Sequence, residues 1–109
     1  MVYYIYILRS LKDNYYYTGY TNNLESRINE HQKGRVQSTK HRIPFELVYF
    51  EGCLNQQDAI RREKYLKTTY GKMFLGNRLK SYLSSESNLF HEDFTGQVKS
   101  STKDELENE

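Results

Sequence analysis

Tyr3-Tyr4-Ile5-Tyr6-Ile7-Leu8-Arg9, a polar break from Ser10 to Asn14, and then Tyr15-Tyr16-Tyr17-Thr18-Gly19-Tyr20 form the stretch that decides the fold. The first run is aromatic and β-branched with no breaker, the pattern of a buried strand. Asp13-Asn14 is strong turn chemistry, because both side chains can bond their own backbone. The second run repeats the strand pattern, so the two predict an antiparallel hairpin. Alternation puts Tyr4, Tyr6 and Leu8 on one face and Tyr3, Ile5 and Ile7 on the other. Tyr15, Tyr17 and Gly19 share a face of the second strand. Tyr6 and Tyr17 meet only if paired residues have odd index sums. The turn does not decide this: a Lys12-Asp13 tip gives an odd sum and a three-residue tip an even one.

Outward from the hairpin, Asn22 with Glu25 three residues on resembles a capping box and opens a helix. Leu24, Ile28 and His31 make its apolar stripe, and Gly34 closes it. Arg35 to Arg42 is polar and aperiodic, a surface loop. After Pro44, Phe45 to Glu51 predicts a third strand. Asn55 caps a second helix with Asp58 at N3, running to about Thr68. Gly71 breaks it. A third helix over Lys72 to Leu83 carries Phe74, Leu75, Leu79, Tyr82 and Leu83. The expected fold is α+β, a three-stranded antiparallel sheet with flanking helices in the order β-β-α-β-α-α. Residues 1–83 form this domain. From Ser84 to residue 109 the chain is acidic and polar, a tail expected to be disordered or loosely docked.

At 109 residues there is room for one modest core. Eleven tyrosines and no tryptophan set the composition apart. Most read as strand residues, leaving two or three to combine packing with a placed hydroxyl. One cysteine, Cys53, excludes an internal disulfide and a four-cysteine zinc site, and is expected to be a buried inert thiol. No apolar run reaches the ~20 residues of a membrane span, and the N-terminus lacks a signal-peptide pattern. A soluble cytoplasmic protein, monomeric by default, is the expectation. Residues 1–83 hold 14 basic against seven acidic side chains, and residues 84–109 hold two against seven. The net +2 therefore hides a basic body and an acidic tail. That division suits a polyanion-binding domain, with solubility charge as the plainer alternative. Folded over the basic face, the tail would lower non-specific binding.

Three positions carry candidate chemistry beyond the tyrosines. Arg27 lies at the edge of the first helix's stripe, four residues before His31. It reads either as a snorkelling structural arginine or as a guanidinium aimed at a phosphate. His31 reads as a proton carrier, a phosphate donor or a satisfied boundary histidine. In the second helix Glu63 falls inside the inward stripe of Ala59, Leu66 and Tyr70, about 40° from Ala59. A carboxylate turned inward must be paired, hydrogen-bonded or metal-bound. Arg27, Arg62 and Lys67 are the candidate partners. A hard cation such as Mg²⁺, which takes few carboxylates and keeps its waters, is the other possibility. The loop Ser38-Thr39-Lys40-His41-Arg42 suits phosphate contact or simple solvation.

Together these elements resemble the GIY-YIG nuclease family, whose modules are also called URI domains. Tyr4-Ile5-Tyr6 is similar to the first signature, with Tyr where the name has Gly. Tyr17-Thr18-Gly19 is similar to the second, with Thr for Ile. The Arg27–His31 helix and the Glu63 helix follow in the family's order across residues 2–83. More narrowly, the chain resembles the small stand-alone bacterial excinuclease-C-like, or predicted endonuclease, members. The resemblance implies a metal-dependent endonuclease acting on DNA in repair or DNA processing, with one divalent ion, Mg²⁺ or Mn²⁺. It implies that Tyr6 positions or deprotonates the attacking water and that Tyr17 orients the scissile phosphate. Arg27 would stabilise developing charge, His31 assist proton transfer and Glu63 hold the metal. Asn77 is the candidate for the family's asparagine after the metal glutamate, although on a helical wheel it points away from the apolar arc. Lys33, Lys40, His41 and Arg42 are the expected DNA contacts. The alternative is a nucleic-acid-binding module with weak or no turnover.

Overall fold

The computed structural model describes residues 1–86. Its elements are β1 (Tyr3–Ser10), β2 (Tyr16–Thr21), α1 (Leu24–Gln32), a 3₁₀ turn (Lys40–Arg42), β3 (Phe45–Cys53), α2 (Gln56–Leu66), α3 (Thr69–Arg78) and α4 (Lys80–Glu86). The sheet is antiparallel in the order β2-β1-β3, so the architecture is α+β as expected. Ser84, Ser85 and Glu86, placed in the acidic tail from sequence, continue α4, and the rest of that tail, 87–109, lies outside the described residues.

The turn settles the register. Ser10 N donates to Tyr15 O (2.9 Å) and Asn14 N donates to Ser10 O (2.8 Å), with Asn14 in the left-handed region at φ 64°. Asparagine tolerates that conformation better than most residues. The loop therefore has four residues, Tyr6 pairs with Gly19 and Leu8 with Tyr17, and Tyr6 and Tyr17 share a face. Ser10 Oγ accepts from Lys12 N and Asp13 N at the tip and donates to Arg42 O (2.6 Å), tying the hairpin to the basic loop.

Helices cover both faces of the sheet. On one, Tyr6, Leu8, Tyr17 and Phe45 pack beneath Leu24 and Ile28 of α1. On the other, Ile5, Ile7 and Tyr16 pack against Ala59 and Leu66 of α2, Leu75 of α3, and Leu79 and Leu83. An irregularity between Ile7 and Leu8 pairs them with Tyr49 and Leu47, leaving Val48 as the extra residue. A bulge turns adjacent residues the same way. Val48 and Tyr49 accordingly both pack into the second layer. At the start of β3, Gln32 Nε2 donates to Phe45 O (2.6 Å) while Phe45 N donates to Gln32 Oε1 (2.7 Å).

The helix boundaries differ from expectation in three further places. Asn23 rather than Asn22 caps α1, its Oδ1 accepting from Ser26 N (3.2 Å), because β2 continues through Thr21. Thr68 rather than Gly71 separates the second and third helices. Its hydroxyl donates to Tyr65 O (2.6 Å) and accepts from Gly71 N (3.1 Å), ending α2 and capping α3 together. Gly71 is instead buried within α3, where a Cβ would lie 2.5 Å from Leu66 Cα; glycine lets the two helices meet. This break also removes Tyr70 from the inward stripe, and it is 74% exposed. Leu79 divides the expected third helix into α3 and α4. Cys53 is half-buried, not fully buried, with Sγ donating to Asn55 O (3.5 Å). Among the described residues no helix is long and apolar enough to cross a membrane.

Candidate active site

The hairpin and α1 bring three aromatic side chains to one point. The ring of Tyr6 crosses toward the edge strand over Gly19, where a Cβ would press on Cζ and Oη and lie 2.8 Å from Cε1. The absence of a side chain at Gly19 is what makes room for the phenol. Its hydroxyl is 2.8 Å from Nε2 of His31. Tyr17 lies beside both, its ring centroid 6.2 Å from Tyr6 and 4.9 Å from His31. Phe45 closes the cage with an edge contact to the imidazole at 5.9 Å. On its other side His31 Nδ1 is 2.8 Å from Thr39 Oγ1. Tyr6, His31 and Thr39 are all fully buried.

Burial sets the charge state of this row. It pushes the Tyr6 phenol up to about 12, the neighbouring Arg27 guanidinium opposing the rise and the Glu63 carboxylate adding to it. Burial likewise pulls His31 down to about 4, and Arg27 reinforces that fall. Both are therefore neutral at neutral pH, because an apolar cage disfavours the charged form of either group. Arg27 is held charged: burial works against it, but Glu30 and the Tyr6 and Tyr17 phenols outweigh that cost. Its Nη1 donates to Glu30 Oε1 (2.9 Å), and its side chain is 32% exposed.

Arg27 joins the buried row to a polar cleft of about 490 Å³ lined also by Tyr20, Thr21, Ser26, Glu30 and Gln56. Gln56 Nε2 donates to the Tyr20 hydroxyl (2.9 Å) across its mouth. A larger groove of about 550 Å³ between Leu24, Ile28, Tyr4 and Leu47 is mostly apolar and contains none of the candidate site residues, so the chemistry points to the smaller cleft.

Glu63 is buried, as its place in the α2 stripe demands. Of its three candidate partners Lys67 is engaged, Nζ lying 3.2 Å from Oε2. Arg62 turns to Glu51 instead (2.8 Å) and lies over the rings of Tyr65 and Phe74. Among the described residues no three His, Cys, Asp or Glu side chains cluster as a cation held wholly by protein would need. A single inward carboxylate is the donor type a hard cation takes, and Glu63 would hold one in place of its ion pair with Lys67.

The remaining candidates divide. Lys33, Lys40 and His41 are exposed. Arg42 is buried: Nε donates to Asp13 Oδ2 (3.0 Å), Nη2 to Tyr16 O (3.5 Å), and the guanidinium lies over Phe45. Its charge holds the hairpin turn rather than facing solvent. Asn77 is exposed on the last turn of α3 and is not drawn into the buried row. Thr39, grouped from sequence with the basic loop, proves to be the inner partner of His31. No local pattern marks it, since eight residues and a change of direction separate the two.

The structure thus sets a paired-tyrosine hairpin under an Arg- and His-bearing helix, with an inward glutamate on the helix after β3. The family model for the GIY-YIG catalytic domain matches residues 2–80, and the chain belongs to that family. It is similar to a UPF0213 protein of Clostridium perfringens, 49% identical over 65 residues, 59% of this chain and 69% of that one. It is also similar to a UPF0213 protein of Staphylococcus haemolyticus, 47% identical over 66 residues, 60% of this chain and 79% of the relative. Among solved structures it matches the solution NMR structure of the UPF0213 protein BH0048 from Bacillus halodurans. That match has 28% identity and a TM-score of 0.42, covering 91% of this chain and 98% of that one. GIY-YIG nucleases generally use divalent metal ions.

Proposed function

We propose that this chain is an endonuclease that hydrolyses DNA phosphodiester bonds, with magnesium or manganese as its ion, in repair or DNA processing. One observation carries the proposal. Tyr6, Tyr17 and His31 converge where Arg27 borders a polar cleft, and the charges of Arg27 and Glu63 both act on the Tyr6 hydroxyl.

Phosphodiester hydrolysis requires an activated water, neutralised charge on the phosphate and a stabilised leaving oxygen. Arg27 supplies paired N–H donors suited to phosphate oxygens. Tyr17 orients the phosphate from the same face. With its phenol pushed up to about 12, Tyr6 does not wait as a phenolate. It works as a relay, taking the water's proton while giving its own to neutral His31. Tyr6 is fully covered, so the side chains above it must shift before water can reach the hydroxyl. Glu63 would hold the divalent ion, which when bound supplies positive charge to the phosphate and its leaving oxygen. Lys33, Lys40 and His41 would contact flanking phosphates, positioning the strand without reading its sequence. Asn77, from its exposed site, remains an accessory contact at most.

The test is incubation with duplex, nicked, flapped and single-stranded DNA, with and without Mg²⁺ or Mn²⁺, beside Glu63→Gln. Cleavage that needs metal and disappears in the variant is expected. Salt-sensitive binding without cleavage of any substrate would replace this proposal with a binding module.

A further inference from the structure

We propose that Thr39 is a positioning residue that fixes His31 in a single tautomer, with the proton on Nδ1 and the Nε2 lone pair turned to the Tyr6 hydroxyl. Only one tautomer lets all three side-chain contacts of this row form together. A threonine hydroxyl has one proton to give and two lone pairs to accept with. Thr39 Oγ1 lies 3.5 Å from Val36 O, a carbonyl that can only accept, so the hydroxyl proton goes there. With the hydroxyl proton so placed, Nδ1, 2.8 Å away, is the donor to Oγ1, and this is the arrangement that keeps all three contacts. Nε2 is left unprotonated, and at 2.8 Å it accepts from Tyr6. The threonine backbone is pinned on both sides, its N donating to Val36 O (3.1 Å) and its O accepting from Arg42 N (2.9 Å). Burial of the whole row excludes exchange of these partners for bulk water.

The tautomer matters because a protonated Nε2 could not take a proton from Tyr6. In the step assigned above, a water O–H bond breaks as its oxygen bonds to phosphorus. That proton passes to Tyr6 Oη, and the proton leaving Oη bonds to Nε2. The product is an imidazolium whose Nδ1–H still donates to Thr39, and the departing oxygen carries the electron pair of the broken P–O bond. This kinetic half rests on the nuclease proposal; the tautomer does not.

The first measurement therefore needs neither metal nor DNA. Long-range ¹⁵N–¹H correlation on histidine-labelled protein at neutral pH should show His31 Nδ1 as the protonated nitrogen in the wild type and in Thr39→Ser. A protonated Nε2 in the wild type overturns the proposal outright, whatever the enzyme does. In Thr39→Val, which keeps the shape and loses the acceptor, the preference should vanish or reverse. Where cleavage is measurable, that variant should lose about 10- to 100-fold in kcat with KM unchanged, and Thr39→Ser should restore it. An unaltered kcat in a folded Thr39→Val would refute the positioning role. If Thr39→Val does not fold, the wild-type and Thr39→Ser spectra still decide the tautomer.

Discussion

Replacing Gly19 by alanine adds one methyl group to a strand with nowhere to put it. The new Cβ would lie 2.8 Å from Cε1 of Tyr6 and closer still to Cζ and Oη, whereas ordinary contact begins at 3.4 Å. The ring must therefore retreat by about 0.6 Å at Cε1, and by more at Cζ and the hydroxyl. It cannot do so freely, being fully buried with Tyr17 and His31 at its sides. Overpacking of this kind costs about 1–3 kcal/mol. In a domain of this size that lowers Tm by roughly 4 °C or more. Activity should suffer further, since the 2.8 Å bond to His31 does not survive the displacement, and a misplacement of ~1 Å at a reacting group costs on the order of 100-fold. Thermal denaturation and metal-dependent cleavage, measured on the same preparation, read the two effects separately. Gly76→Ala is the matched control. Nothing lies within 4 Å of its Cβ in α3, so this change should stabilise by about 0.5–1 kcal/mol and leave cleavage alone. A Gly19→Ala protein with wild-type Tm and wild-type turnover would refute the close approach of Tyr6 to this strand.

His31 should mark the pH dependence of stability. Folded, it titrates at about 4 against an ordinary 6.5, so between those values the unfolded chain binds a proton that the folded chain refuses. Stability then falls as pH drops through that window, by about 3 kcal/mol for this group alone, and His31→Gln should flatten that limb in denaturant titrations. Tyr6 works at the other end: with its phenol raised from 10.0 to about 12, stability should decline as pH climbs through that range, and less so in Tyr6→Phe. Arg42→Ala should cost about 2–4 kcal/mol in unfolding free energy, because it strands Asp13 and opens the hairpin turn. The double change Lys33→Glu with Lys40→Glu should leave stability nearly unaltered and instead weaken DNA binding with a shallower salt slope. If Arg42→Ala behaves like the lysine pair, the assignment of its charge to the fold is wrong.

Much of this molecule is legible locally. The hairpin follows from Asp13-Asn14 between two aromatic runs, and α2 from Asn55 with Asp58, whose N–H the Asn55 side chain does accept (3.0 Å). Glu63 stands out because a carboxylate in an apolar stripe violates a short-range pattern. What could not be read depends on contacts made across the fold. Gly71 carries the same chemistry whether it ends a helix or lets two helices touch, and only the proximity of Leu66 decides between them. Arg42 sits in a run of basic residues that looks solvated until Asp13 is brought 3.0 Å from it. Thr39 matters through His31, and nothing in its own neighbourhood announces that. The register of Tyr6 against Tyr17 was open for a related reason: it hangs on the loop length, which Asn14 settles by taking a left-handed conformation.

The two bonds between Gln32 and Phe45 have a consequence for how the protein keeps company with itself. A side-chain carboxamide offers the same donor and acceptor as a peptide group, and here both engage the outward-facing backbone of a border strand. At that end β3 already has the neighbour that a stray strand from another molecule would supply. Border strands are where chains zip together and aggregate, and proteins commonly blunt them with charge or proline. This one uses a glutamine delivered by the helix that also carries His31. Gln32→Ala would therefore be expected to raise the tendency to associate under destabilising conditions, even in a protein whose folded structure scarcely changes.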